Sequence, residues 1–327
     1  MKKFMNDPAA MAQESLFGFA AAHADRVVLG AGAKFLRRRD LTPGKVGLVS
    51  GGGAGHEPLH IGFVGQGMLD AACPGHVFTS PTPDQVAAAI EAVDQGAGVL
   101  LIVKNYDGDL MNFEMAAETA TRAGRRVGTV VVADDVAAGQ TAARRRGIAG
   151  TLFVEKVLGA AAEEGMALAD LAVLGHRASA ATRSIGVALR GATLPTASRE
   201  TFVLAPGEME LGVGIHGEPG GQRAAMGGGA DIVATMCDRL LDGFDHGGEG
   251  ALLFVNGLGA TPQSELYLVY GLARRFLESH GVAVARSLVG SYVTSLDMHG
   301  ASITVALLDD DLRRLWDAPV ATPALNW

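Results

Sequence analysis

Residues 211–220, LGVGIHGEPG, set one histidine, His216, among glycines at 212, 214, 217, 220 and 221. Glycine suits places where a ligand or another piece of backbone must approach the main chain closely. An imidazole presented this way could be a nucleophile, a proton shuttle or a ligand, and Glu218 could orient it. The plain alternative is a turn histidine hydrogen-bonded to its neighbours. Two other segments concentrate polar chemistry: SGGGAGHEPLH, with Gly53, His56 and His60, and KNYDGD, with Lys104 and Asp109. Asp109 could cap the helix that begins LMNFE, accept a proton from a bound hydroxyl, or do both. Lys104 is either solvated or a donor to an anion or polyhydroxy ligand. Ser80, in HVFTSPTP, could simply open the turn before its prolines.

Three familiar patterns fail on inspection. His56-Glu57-Pro58-Leu59-His60 spells H-E-x-x-H, but a zinc protease needs both histidines on one helical face, and Pro58 interrupts that helix. Gly212-x-Gly214-x-x-Gly217 spells a dinucleotide fingerprint, but Glu218, Pro219, Gly220 and Gly221 stand where the phosphate-binding helix should start. The run 50–56 lacks the Gly-Lys-Ser/Thr ending of a P-loop. No metal site is expected.

The elements that must carry these residues alternate along the first half. Apolar runs at 45–50, 97–103 and 127–133 read as buried strands, with helices at 83–95, capped by Thr82, and at 110–123. Continuous apolar strands separated by helices imply a parallel sheet covered on both faces, with ligands beyond the strands' carboxyl ends. There the sequence offers the His56 loop, the KNYDGD turn and the pair Asp134–Asp135. Helical, alanine-rich sequence fills 149–174, and residues 191–206 read as the crossing to a second domain. That domain should hold a strand at 209–215, a helix at 231–241, a strand at 251–256, a helix at 264–280 and a strand at 302–308. The expected fold is therefore two α/β domains, 1–190 and 191–327. The first has a mostly parallel sheet covered by helices, the second a mixed sheet with helices.

Bulk properties agree. The 327 residues are 48% apolar but only 6% aromatic, with 45 glycines, which fits Ala/Val/Leu-rich layers joined by glycine turns. A net charge of −8 argues against nucleic acid or an acidic membrane surface. Arg144–Arg145–Arg146, a run of three arginines, reads as a solvated helix end. Two cysteines, Cys73 and Cys237, without paired spacing fit a reducing, cytoplasmic setting. Asp7, Pro8 and Glu14 break the N-terminal stretch, so no signal peptide is expected. No apolar run approaches the ~20 residues that span a bilayer.

Taken together, the segments GLVSGGGAGHEPLHIGFVGQGMLDAACPGHVFTSPTPDQV, LLIVKNYDGDLMNFEMA, RGIAGTLFVEKV, RSIGVAL, LGVGIHGEPG and YVTSLDMHGASITVALLDDDLRRLWDAPVATPA resemble the substrate-binding K subunits of dihydroxyacetone kinases, through almost the whole chain. The resemblance implies that His216 attacks the ketone carbon of a short ketose, forming a covalent hemiaminal. It implies catalytic positions at His56 and Asp109, with Asp109 as base and His56 as proton partner, and a substrate pocket lined by Gly53, Ser80 and Lys104. Covalent capture would separate ketones from polyols such as glycerol, which hydrogen bonds alone do poorly. The family pattern ends near DAPVATPA, so no nucleotide is expected on this chain. ADP or ATP with Mg²⁺ would sit on a separate L subunit, recharged in many bacteria by a phosphotransferase-system relay protein. A homodimer is also implied. The chain departs from the family at Gly191-Ala192, where a serine and cysteine-like pair is expected. Some relatives act on four-carbon ketoses such as erythrulose, and others keep the histidine yet serve as transcriptional coactivators. A sensor needs capture but no proton transfer, so His56 and Asp109 favour the kinase subunit.

Overall fold

A computed structural model describes residues 3–139, 141, 144–197, 199–245 and 250–327. They form two compact units, each with its own six-stranded sheet. One unit comprises Met1–Val132, Leu152–Ala178 and Arg314–Trp327; the other comprises Ala133–Thr151 and Ser179–Arg313.

The first unit runs α1 (Met11–Ala22), β1 (Val27–Leu29), β2 (Leu36–Arg38), β3 (Gly47–Ala54), β4 (Ala71–Val77), α2 (Pro83–Val93), β5 (Val99–Lys104), α3 (Asp107–Arg122) and β6 (Val127–Val132). To these it adds most of α4 (Gly150–Glu163) and α5 (Leu168–Ala180). The sheet order is β1-β2-β4-β3-β5-β6. β4, β3, β5 and β6 are mutually parallel, and β1 and β2 add an antiparallel edge. Strand β5 shows why the apolar run is unbroken. Val99, Leu101 and Val103 pack with Val86, Ile90, Phe113 and Ala116 from α2 and α3. Leu100, on the alternate face, instead meets the neighbourhood of Gly128 and Leu168 of α5. Helix α2 starts where expected, with the Gln85 side chain accepting from the Thr82 N–H at 3.0 Å. The C-terminal segment is tied down by Arg26, which donates to Thr322 O at 2.6 Å and Asn326 Oδ1 at 2.7 Å.

The second unit holds β7 (Thr182–Arg190), β8 (Glu208–Leu211), β9 (Gln222–Ala225), α6 (Gly229–Leu241), β10 (Gly250–Gly257), α7 (Gln263–Ser279), β11 (Val284–Gly290) and β12 (His299–Leu308). Helix α8 (Asp310–Asp317) follows. The order is β11-β10-β12-β7-β8-β9, with only β10 and β11 parallel, so this sheet is mixed. Its core joins Ile185, Leu253, Val255, Ile303 and Val305 to the apolar sides of α6 and α7.

Several local expectations change. The strand expected at 209–215 stops at Leu211, because Gly212 turns to φ +83°, a conformation that breaks the ladder. The helical stretch 149–174 divides into α4 and α5 around Gly165 at φ +83°. Arg146 is no solvated helix end: it pairs with Asp135 at 2.6 Å and donates to Gly212 O at 2.7 Å. Strands β1, β2, β4, β7, β9 and β11 are absent from the sequence reading; a glycine and a proline in β4 and arginines in β7 and β11 blur their apolar patterns.

Candidate active site

Parallel pairing of β4, β3 and β5 delivers their carboxyl ends to one edge of the first sheet. The strand ends at that edge and the segments that follow them carry Gly53–His56, Phe78–Ser80 and Lys104–Asp109. Glycine permits their close approach. A Cβ on Gly53 would lie 2.5 Å from Thr79 N and 2.6 Å from Phe78 Cα, so only hydrogen lets the β4 loop cross β3 there. Phe78 itself adopts φ +57°, a left-handed conformation costly for a bulky residue. The turn sets its ring against His56, with centroids 5.0 Å apart and planes 13° from parallel. His56 is buried. Ser80 is half-buried beside Gly108 at the start of α3, and Asn112 Nδ2 donates to Pro81 O at 2.9 Å, stitching that loop to the helix.

Asp109 does not cap α3. The helix begins at Asp107, two residues earlier, so Asp109 lies inside its first turn, buried. Its Oδ2 stands 3.7 Å from the ammonium of Lys104. Lys104 is not solvated either. Its side chain is fully buried, donating to Gly51 O at 3.1 Å and facing His60 Nε2 at 2.9 Å. A Cβ on Gly52 would lie 2.2 Å from Lys104 Nζ, so that glycine makes room for the cation.

Behind Lys104 the contacts continue inward. His60 Nδ1 meets Glu155 Oε1 of α4 at 2.5 Å and Ser50 Oγ at 3.1 Å, while Ser50 donates to Ile102 O at 2.7 Å. Burial, then the charges of Lys104 and His56, holds the His60 imidazole well below its usual range, so it is neutral. Burial pushes the Glu155 carboxyl up to about 8, against the opposing pull of Lys104 and Ser50. His60 belonged to the rejected H-E-x-x-H pattern, and Glu155 carried no signal beyond its place in LFVEKV. The segment 56–60 forms turns rather than a helix, and His56 and His60 face different neighbours. Among the described residues no group of three or more His, Cys, Asp or Glu side chains could hold a metal ion.

Asp134 and Asp135 follow the carboxyl end of β6, as expected, and both are buried. Asp134 accepts from the N–H groups of Ile148 and Gly150 at 2.8 and 2.7 Å. Asp135 accepts from Ala137 N and pairs with Arg146. These carboxylates hold backbone in place.

In the second unit, His216 lies five residues beyond β8, within a tight turn. Gly217 N donates to Gly214 O at 3.1 Å, and Gly214 N donates to Glu218 O at 3.0 Å. Glu218 grips the histidine twice, accepting from His216 N at 3.0 Å through Oε2 and meeting Nδ1 at 2.7 Å through Oε1. Burial works against the Glu218 charge, but the His216 contact and Arg146 outweigh it and hold its carboxyl below the usual range. A charged carboxylate can only accept, so Nδ1 carries the proton, and in the neutral imidazole this leaves the lone pair on Nε2. The glycine run leads into β9 rather than into a helix, which disposes of the dinucleotide pattern. A Cβ on Gly220 would lie 1.9 Å from Leu211 O, so the return toward β9 requires glycine.

The Dak1 domain family model matches residues 17–324. The chain belongs to that family. It is 46% identical to the dihydroxyacetone-binding subunit DhaK of the PEP-dependent dihydroxyacetone kinase of Escherichia coli K12, covering 100% of this chain and 99% of the relative. Among solved structures, it superposes on the dihydroxyacetone kinase of C. freundii in complex with AMP-PNP and Mg²⁺, with TM-score 0.91 and 37% identity. That match covers 98% of this chain and 60% of the kinase chain. It superposes equally on the dihydroxyacetone kinase operon co-activator Dha-DhaQ, with TM-score 0.90, 34% identity and coverage of 95% and 97%.

Proposed function

We propose that this chain is the substrate-binding subunit of a kinase for dihydroxyacetone or a closely related short ketose, working with a separate nucleotide-bearing subunit. What carries the reading is similarity from end to end, at 46% identity, to a curated dihydroxyacetone-binding subunit. The chemistry of the His216 loop supports it. Nε2 adds to the ketone carbon, the carbonyl π pair moves to oxygen, and that oxygen takes a proton from solvent water, balanced by the Nδ1 proton that leaves through Glu218 to solvent. As the bond forms, the Nδ1 proton passes toward Glu218, which already accepts from it. The result is a neutral hemiaminal, and a polyol offers no such carbon.

In this reading Asp109 accepts the proton of the hydroxyl to be phosphorylated, with His56 as its proton partner. Gly53, Ser80 and Lys104 line the substrate pocket. ADP or ATP with Mg²⁺ belongs to the partner subunit, recharged by a phosphotransferase-system relay protein, and this chain pairs as a homodimer. The co-activator among the structural neighbours favours a second reading, a ketone sensor acting through a protein partner. Asp109 with its adjoining Lys104 weighs for the kinase, because a sensor transfers no proton.

The test is direct. The purified chain is mixed with dihydroxyacetone and weighed by intact mass, then supplied with a nucleotide-bearing subunit and phosphoryl donor. Adduct on His216 followed by sugar phosphate supports the kinase subunit. Adduct without product supports the sensor. Unchanged turnover and unchanged selectivity against glycerol in His216→Ala would refute covalent capture.

A further inference from the structure

Four groups from two strands, a helix and a loop meet in the interior of the first unit behind the proposed base. They are Ser50 of β3, Lys104 of β5, Glu155 of α4 and His60 between β3 and β4. His56 also acts electrostatically on His60, and Asp109 of α3 ends the line at 3.7 Å from Lys104. Nothing in the proposed chemistry uses His60 or Glu155. Burying a lysine, a histidine and a glutamate is costly unless their charges cancel and their hydrogen bonds are made.

We propose that Glu155, acting through His60, is a positioning residue that keeps the charge of Lys104 compensated and its ammonium aimed at Asp109. The contacts define the proton count. With Lys104 charged, it donates to His60 Nε2, Nδ1–H donates to Glu155, and Glu155 is a carboxylate. Shifting one proton from Lys104 to Nε2 and another from Nδ1 to Glu155 gives amine, imidazole and carboxylic acid. Both arrangements hold the same protons and carry no net charge. Asp109 therefore faces a line whose net charge stays zero as the protons move. The Oε2 atom of Glu155 is buried without a hydrogen-bond partner among the described residues, so the His60 contact at Oε1 is what holds this carboxyl in place.

This inference rests on the assignment of Asp109 as base. Glu155→Gln keeps an oxygen to accept from Nδ1 but can neither carry the charge nor take up the proton, so Lys104, whenever it is charged, is no longer compensated beside Asp109. That cation stabilises the Asp109 carboxylate. With the partner subunit present, the acid limb of the kcat–pH profile is expected to fall by about one pH unit. kcat at neutral pH should fall about three- to tenfold, while the His216 adduct forms as in the native chain. Glu155→Asp restores the charge and should bring the limb back toward its native position. A kcat loss in Glu155→Gln with the acid limb unmoved would overturn the inference. Should Glu155→Gln prevent folding, His60→Gln breaks the same line from its centre and is read on the same limb.

Asp109→Asn separates the two levels. If it abolishes turnover and Glu155→Gln leaves the limb in place, only the present inference fails. If Asp109→Asn keeps its turnover, the assignment of the base fails. In that event the ¹⁵N shifts of the His60 ring still decide the line of contacts. A neutral ring from pH 6 to pH 9 supports it, and an imidazolium in that range refutes it.

Discussion

Replacing Glu218 by alanine tests how the histidine is prepared. The change removes two acceptor contacts, to His216 N at 3.0 Å and to Nδ1 at 2.7 Å. Hydrogen bonds to a charged group contribute about 1.5–3 kcal/mol net. The Glu218 side chain is 31% exposed, so solvent screening places the loss near the lower end, about 1.5–2 kcal/mol. That corresponds to an adduct about 10–30-fold weaker. Titration with ¹³C-labelled dihydroxyacetone, following the shift of the ketone carbon to a tetrahedral carbon, reads the constant directly. Glu218→Gln, which keeps an acceptor without the charge, should lie between the two. The pH dependence has a definite sign. The Glu218 carboxyl is held below its ordinary 4.5, so its contribution is complete above that value and is lost as pH falls through the lower folded value. The gap between native chain and alanine variant should therefore persist at pH 6 and narrow below about pH 4.5. Equal adduct affinity, within twofold, in native and Glu218→Ala proteins at pH 7 would refute the claim that Glu218 sets the tautomer.

Gly220→Ala forces a Cβ to within 1.9 Å of Leu211 O, and the backbone must shift. An unfolding free energy lower by about 1–3 kcal/mol, together with loss of adduct, is expected by chemical denaturation and mass measurement. Gly53→Ala meets Thr79 N at 2.5 Å and should cost a similar ~1–3 kcal/mol, but should reduce turnover while the His216 adduct survives. Asp134→Ala leaves the buried N–H groups of Ile148 and Gly150 without their acceptor, for a loss of about 2–4 kcal/mol measured by denaturation. Cys73 and Cys237 are buried, and burial raises both thiols, Cys237 to about 12. Neither should react with iodoacetamide at pH 8 in the folded chain, and both should react in denaturant, as intact mass will show.

Much of the frame was legible because it is local. Val99–Lys104 reads as a strand buried on both faces because every residue is apolar up to Lys104, and the helices that cover it begin at recognisable signals such as Thr82-Pro83. The glycine-crowded His216 was legible for the same reason. Its immediate partner, Glu218, lies two residues away and closes the turn from within. Local reading misplaced Asp109, because one residue type serves both as cap and as first-turn residue. It let β8 run on to 215, because Gly212 breaks a strand only when its φ turns positive. Lys104 looked like a surface residue because nothing near it in sequence shows that Gly52 leaves room for its ammonium.

The sequence by itself determined the α/β character of both halves, the parallel character of the first sheet and the histidine loop, since periodicity and glycine placement act over a few residues. Only the tertiary structure decided that His60, rejected as a zinc ligand, meets Glu155 from 95 residues away and Lys104 from 44. It alone decided that Asp134 and Asp135 hold backbone, and that Leu152–Ala178 and Arg314–Trp327 return to the first unit. The physical reason is the same in each case. A buried charge must be matched wherever packing sets its partner, and distance along the chain carries no record of that match.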